Sequence, residues 1–257
     1  MTDQSTLHHL TAADGTRLAW HELGEGRPVV LIHGYMSDAF TNWMRWGHAG
    51  KVAAQGYRVI MPDLRAHGGS DRPHDAAAYR PDVLAEDAEA LIAQLSLTDY
   101  DLGGYSLGAR TTMRVLDRAI APAPRRVIFV GMGLEGLTDT NRRSGHFRGI
   151  LDNLGTFERG SPKWLVEAFL KTTKGDPVAL RHILDTFVDT PIERVRGITQ
   201  PTLVLAGEED DDNGSHRDLA AAISGAALAE VPGGHMSAVT KPELGDALAA
   251  WLDPSTH

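Results

Sequence analysis

Residues 100–120 read YDLGGYSLGARTTMRVLDRAI: an apolar run, Tyr100 to Leu102, then Gly104-Tyr105-Ser106-Leu107-Gly108, then a helical pattern from Ala109 to Ile120. A G-x-S-x-G string recurs by chance in a chain with 27 glycines, so its weight comes from its place between a strand and a helix. A backbone that reverses from strand to helix within a few residues strains the serine. Glycines on either side remove side chains that would collide there. Ser106 is therefore expected to stand clear of a sheet, with Leu107 opening the helix. Unpaired N–H groups and the positive dipole end at that point stabilise a developing anion. The plainer alternative is a serine that only caps the helix.

Outward from this stretch, further apolar runs bounded by Gly, Pro or Asp appear at Pro28 to Ile32, Arg58 to Met61, Arg126 to Val130, Thr202 to Ala206 and Ala227 to Val231. Runs without alternation suit strands buried on both faces of a parallel sheet. Ahead of them, Leu7 to Leu10 and Arg17 to Leu23 flank Asp14-Gly15, the signature of an antiparallel hairpin. Between the runs lie patterns of period near 3.6, such as Leu84, Ala88, Leu91, Ile92 and Leu95, or Leu244, Ala247, Leu248, Trp251 and Leu252. Strand alternating with helix predicts an α/β fold, a mostly parallel, doubly wound, eight-stranded sheet with an N-terminal antiparallel hairpin. From Gly136 to Ile192 three helical patterns follow one another with no strand between them. A small helical cap is therefore expected after the sixth strand, residues 135–192, on a core of residues 1–134 and 193–257.

The 257 residues, 42% hydrophobic and 23% charged, suit one α/β domain with such an insertion. The net charge of −9 is spread without a basic stripe, which excludes nucleic acid as a partner and favours a neutral or cationic small substrate. With no cysteine there is no disulfide, thiolate metal site or cysteine nucleophile, and serine chemistry is what remains. Met1 to Leu10 carries Asp3, His8 and His9 but no apolar run after positive charge, and no stretch approaches ~20 apolar residues. A soluble, cytoplasmic protein without membrane insertion is expected; oligomeric state is not legible.

Over nearly its whole length the chain resembles the α/β-hydrolase family. Val30 to Gly34 are similar to the family's strand followed by HG, and Pro62 to Ser70 to its PDxRGHGxS segment, with Ala66 where glycine is usual. Gly104 to Gly108 match its nucleophile elbow, and the order serine, acid, histidine also agrees. The resemblance implies an α/β-hydrolase fold and a serine nucleophile, Ser106. It also implies an oxyanion hole made by the backbone N–H groups of Leu107 and Tyr35. Tyr35, Met36 and Ser37 follow HG in place of further glycines, a departure from the lipase and esterase branch built on HGGG.

His235, in Gly233-Gly234-His235-Met236 between the last strand and the last helix, stands where the family places its catalytic base. An imidazole is chemically suited to take the serine's proton. His33 is expected to brace the oxyanion loop and His67 to lie in a turn, while His8, His9, His146, His182, His216 and His257 read as surface or cap residues. For the acid that orients the base, the family's spacing after the strand Thr202 to Ala206 selects Asp210. Asp211 and Asp212 remain alternatives, as do Glu135 and Asp139 in the loop after the sixth strand. Most of the acidic run Glu208 to Asp212 is expected to be solvated, and calcium has only weak support there. No metal or organic cofactor is implied.

Trp43, Met44 and Trp46, with Phe147, Trp164, Phe169 and Phe187 in the insertion, are candidates for an apolar pocket; Trp43, Trp164 and Phe169 are taken as substrate-binding. The default substrate is a small to medium carboxylic ester with an apolar acyl or alcohol part. Carbon–carbon bond hydrolases, lactonases and perhydrolases share the same apparatus, and a non-catalytic receptor for a small ligand is the reading from another class. Epoxide hydrolases and haloalkane dehalogenases of this fold use an aspartate nucleophile, which Ser106 argues against.

Overall fold

A computed structural model describes residues 5–253. Asp3 and His257, named above, lie outside that range. Eight strands among the described residues form one sheet: β1 Thr6–Thr11, β2 Arg17–Leu23, β3 Arg27–Ile32, β4 Tyr57–Pro62, β5 Asp101–Tyr105, β6 Val127–Val130, β7 Thr202–Gly207 and β8 Ala227–Val231. Their order is β1-β2-β4-β3-β5-β6-β7-β8. The hairpin β1-β2 turns at Asp14, whose Oδ1 accepts the Thr16 N–H (3.0 Å), and at Gly15 with φ 88°. β2 is antiparallel to both its neighbours, and every other pairing is parallel.

The double burial expected of the parallel strands is visible in β3. Val30 and Ile32 enter one apolar cluster with the helix Val83–Gln94 and residues of the insertion. Val29 and Leu31 enter another with the helices His48–Ala53 and Pro242–Leu252. β5 runs past the Tyr100 to Leu102 stretch expected of it, since Gly103, Gly104 and Tyr105 continue the ladders to β3 and β6. Glycines carry no hydropathy signal, and here they answer a steric demand: a Cβ on Gly103 would lie 2.6 Å from Ile128 Cβ.

Between β6 and β7 the three expected helical patterns appear as Asn141–Leu151, Pro162–Thr172 and Pro177–Ile183. Two five-residue helices, Leu134–Thr138 and Ile192–Arg196, flank them and are too short to show a period. Ser161 and Asp176 cap the second and third of the long helices, each followed by proline at the first helical position. Leu151, Leu170, Ala179, Leu180, Ile183 and Leu184 of the insertion join the cluster that contains Tyr35 and Leu107. No helix among the described residues is long and apolar enough to cross a membrane.

The PDLRAHGGS segment, Pro62 to Ser70, is a brace. Arg65, 1% exposed, places Nε and Nη2 on the Asp87 carboxylate (2.7 and 2.8 Å) and Nη1 on Asp14 (2.7 Å), tying the hairpin turn to the helix Val83–Gln94. Asp63 accepts the N–H groups of Ala39 and Gly69 (both 2.8 Å), and Ser70 Oγ accepts that of Ala19 (2.9 Å). Ala66, standing where the resembled pattern has glycine, takes φ 68°, a left-handed conformation that a side chain disfavours.

Candidate active site

The carboxyl ends of β3, β5, β6, β7 and β8 lead directly into the segments that carry the candidate residues, the edge where open parallel sheets bind ligands. Ser106 follows β5 with φ 53° and ψ −105°, a strained conformation for a residue with a side chain, and the helix Leu107–Asp117 starts immediately after it. The turn is possible only because the flanking residues have no Cβ. On Gly104 it would lie 2.4 Å from the Gly108 carbonyl carbon, and on Gly108 2.1 Å from the Ile32 oxygen.

The loop after β8 brings His235 Nε2 to 3.1 Å from Ser106 Oγ. On the other side of the ring, Nδ1 lies 2.9 Å and 3.1 Å from the two oxygens of Asp210, in the turn after β7. His235 is 9% and Asp210 5% exposed. With Nδ1–H donating to the carboxylate, Nε2 keeps its lone pair for the serine O–H. Tyr105 steadies the ring's backbone: its hydroxyl donates to the His235 carbonyl (2.5 Å).

The other carboxylates considered for this role are engaged elsewhere. Asp212 pairs with Arg143 (2.7 Å), Glu135 accepts the Ser215 N–H (2.9 Å), Asp139 accepts the Asn141 N–H (3.2 Å), and Asp211 is exposed. Asn213, one residue beyond the acidic run, escaped the sequence reading. Its Nδ2 donates to the Gly131 carbonyl (2.9 Å) and lies 3.3 Å from Ser106 Oγ.

The Leu107 N–H is the first of the helix and has no intrahelical acceptor. The Tyr35 N–H donates to no protein group among the described residues. The segment bearing it is held on both sides: Gly34 N–H donates to Asn42 Oδ1 (3.0 Å) and Met36 N–H to His67 Nε2 (3.2 Å). His67 Nδ1 in turn faces the Arg65 carbonyl (2.9 Å), so its proton sits on Nδ1. His33 repeats the pattern, with Nε2 accepting from Leu64 N–H (3.0 Å) and Nδ1 donating to the Gly34 carbonyl (2.7 Å). Burial lowers the pKa of both; burial with His33 alongside takes His67 down to about 3.

A pH dependence follows. In the unfolded chain His67 gains a proton as the pH falls through its ordinary value of 6.5, whereas in the folded chain it does not until about 3. The unfolded state binds more protons across that window, so stability is lost as pH falls through it, by up to about 1.4 kcal/mol per pH unit from this ring. His67→Gln keeps an acceptor for Met36 N–H but takes no proton. Urea unfolding between about pH 6 and pH 4.5 is expected to give a flatter slope of stability against pH in the variant, by about 1 kcal/mol per unit. An unchanged slope contradicts the assignment.

The pocket residues need correction. Trp43 is fully buried, with 0% exposure, on the sheet face opposite Leu107, packed in the cluster of Leu31, Tyr105 and Leu244. A ring with no exposed surface lines no pocket. Trp46 is 40% exposed under the Arg45 guanidinium. On the helix Pro162–Thr172, Trp164 pairs with Arg159 (6.0 Å) and Phe169 packs half-buried on the core. From the segment between β6 and β7, Phe147 packs on Tyr35 at 4.7 Å and Phe187 on Arg110 at 4.3 Å. Tyr35 itself is anchored to the insertion through its hydroxyl, which donates to the Leu180 carbonyl (2.7 Å). His216, expected at the surface, is buried, with Nε2 2.7 Å from Glu230.

A sequence model of the alpha/beta hydrolase family matches residues 29–247. An AB hydrolase superfamily protein of Bacillus subtilis, YisY, is 27% identical over 165 residues, 62% of this chain and 59% of that protein. A 2-hydroxymuconate semialdehyde hydrolase of a Pseudomonas species is 30% identical over 149 residues, 54% of this chain and 52% of its own length. The chain thus spans about half the length of the curated relatives it matches. Among solved structures, a thermophilic esterase from Thermogutta terrifontis superposes with a TM-score of 0.75 at 22% identity, over 97% of this chain and 98% of that one, a likeness of fold.

Proposed function

The chain belongs to the alpha/beta hydrolase family, and from that premise we propose that it is a serine hydrolase cleaving a carboxylic ester of a small molecule through an acyl-enzyme on Ser106. The observation that carries this reading is the unbroken chain of contacts from Ser106 Oγ to His235 Nε2 (3.1 Å) and from His235 Nδ1 to Asp210 (2.9 Å). His235 takes the hydroxyl proton as Ser106 Oγ attacks the carbonyl carbon, and Asp210 stabilises the imidazolium. The oxyanion of the tetrahedral intermediate is received by the N–H groups of Leu107 and Tyr35. His235 then returns the proton to the departing alcohol. A water deprotonated by the same ring attacks the acyl carbon, and the acid leaves as Ser106 regains its proton.

The helical insertion, proposed as a cap over residues 135–192, contributes Phe147 and Phe187 to the apolar surroundings. Trp164 and Phe169 remain proposals as substrate contacts. Asn213 supports an enzyme over a passive receptor, since an amide donor placed at the serine hydroxyl helps fix a reacting group.

p-Nitrophenyl esters of graded acyl length test the reading. Steady turnover with a maximum among the short to medium chains is expected, at kcat of about 1 to 1,000 per second for a suitable ester. A folded protein that binds these esters and cleaves none of them would place it with the receptors.

A further inference from the structure

Three arginines of this chain are almost completely buried, and two are matched by carboxylates. Arg65 has Asp87 and Asp14, and Arg126, 3% exposed, has Asp101 at 3.1 Å. Arg110, 5% exposed, has none. Its Nε donates to the Gly136 carbonyl (3.0 Å), and the ring of Phe187 covers the guanidinium at 4.3 Å. Nη1 and Nη2 donate to no protein group among the described residues, yet neither is among the fully sealed unpartnered atoms, so both keep a trace of access. Asp189 and Arg143 act on Arg110 with opposite sign and from beyond ion-pair distance. The first accepts the Thr140 N–H, and the second is bound to Asp212. Burial, then Arg143, draws the Arg110 pKa down to about 10, still cationic at neutral pH. A desolvated cation with two unused donors is costly unless an anion completes it.

Its position gives that anion a source. Arg110 N–H donates to the Ser106 carbonyl (3.0 Å), so the backbone of the arginine stands one helical turn beyond that of the nucleophile, about 6 Å along the axis. Helical side chains lean toward the N-terminus, here toward Ser106. Leu107, Arg110, Thr186 and Phe187 line a cavity of about 20 Å3, room for one water-sized group, whose single carboxylate, Asp82, is committed to Arg114 (2.7 Å).

We propose that Arg110 receives a carboxylate on the acyl part of the substrate, so that the esters this chain prefers are half-esters of short dicarboxylic acids. The planar fork of the guanidinium pairs with a carboxylate through parallel N–H donors. With the two backbones one helical turn apart and the arginine side chain leaning back toward Ser106, an acyl chain of a few carbons suits the interval. The net charge of −9 pointed instead to neutral or cationic substrates. That field is screened within about 8 Å in physiological salt, whereas a desolvated cation acts on its ligand unscreened. This substrate class rests on the serine-hydrolase reading above.

The test compares mono-p-nitrophenyl glutarate with p-nitrophenyl butyrate. The wild type is expected to favour the glutarate ester by about tenfold in kcat/KM, and Arg110→Met, similar in volume, to lower the ratio of the two constants by about a hundredfold. Arg110→Lys should recover part of it. A ratio equal in wild type and Arg110→Met, both constants falling together, would make Arg110 a mere anchor of the insertion and overturn the proposal.

If Arg110→Met does not fold, the wild type serves: glutarate should inhibit butyrate-ester turnover at millimolar concentration and glutaramide should not. Inhibition by both or by neither overturns it. Butyrate-ester turnover without glutarate preference removes the Arg110 role alone. If no ester is cleaved, the reading of Ser106 falls, and titration calorimetry of glutarate against wild type and Arg110→Lys decides the anion site separately. Binding weakened in the variant supports it, and no binding to either overturns it.

Discussion

Ser106→Ala is expected to abolish ester turnover, with kcat falling by about six orders of magnitude. The argument is one of position. Ser106 Oγ lies 3.1 Å from His235 Nε2, and the chain contains no cysteine that could stand in as nucleophile. Without the hydroxyl there is no acyl-enzyme. What remains is the effect of binding and of the two N–H donors on direct attack by water, worth roughly 1,000- to 10,000-fold over solution. The loss is not one of folding. The hydroxyl's partners are His235 and Asn213, and removing such contacts shifts stability by about 1 kcal/mol. Melting curves should therefore nearly superpose while the rate disappears, and a variant that keeps a tenth of the activity contradicts the nucleophile assignment.

Asp210→Asn is expected to reduce kcat by about 10,000-fold with little change in KM. An amide in place of the carboxylate can present its NH2 to His235 Nδ1. Nδ1 then becomes the acceptor, and the ring proton moves to Nε2, facing the serine. In that tautomer His235 cannot take the hydroxyl proton. The 2.9 Å contact between Asp210 and Nδ1 makes the tautomer depend on this side chain. Asp211→Asn, Asp212→Asn and Glu135→Gln serve as comparisons, because Asp212 is committed to Arg143 and Glu135 to the Ser215 N–H. These three should retain most of the activity. Full activity in Asp210→Asn, with loss in one of the others, would reassign the acid.

The sheet was legible because its strands are buried on both faces: Val29 to Ile32 and Leu203 to Leu205 read as unbroken apolar runs. The glycines that extend β5 were not, because their reason is the closeness of Ile128 and carries no hydropathy. Among the site residues, Ser106 and His235 stood out by their place between strand and helix, and spacing selected Asp210 from five neighbouring acids. Trp43 misled. Its nearness in sequence to the HG segment suggested the pocket, but the turn Phe40–Met44 carries the ring to the far side of the sheet. Asn213 and Arg110 could not be read from the chain, since each is defined by contacts with Gly131, Gly136 or Phe187, which only tertiary packing supplies.

Fluorophosphonate labelling followed by peptide mass mapping addresses the nucleophile most directly. The expected result is one label per chain, on the peptide containing Ser106, with the rate of labelling collapsing in His235→Ala. A folded, ester-cleaving protein that takes no label, carries it on another residue, or labels as fast without the imidazole would contradict the account.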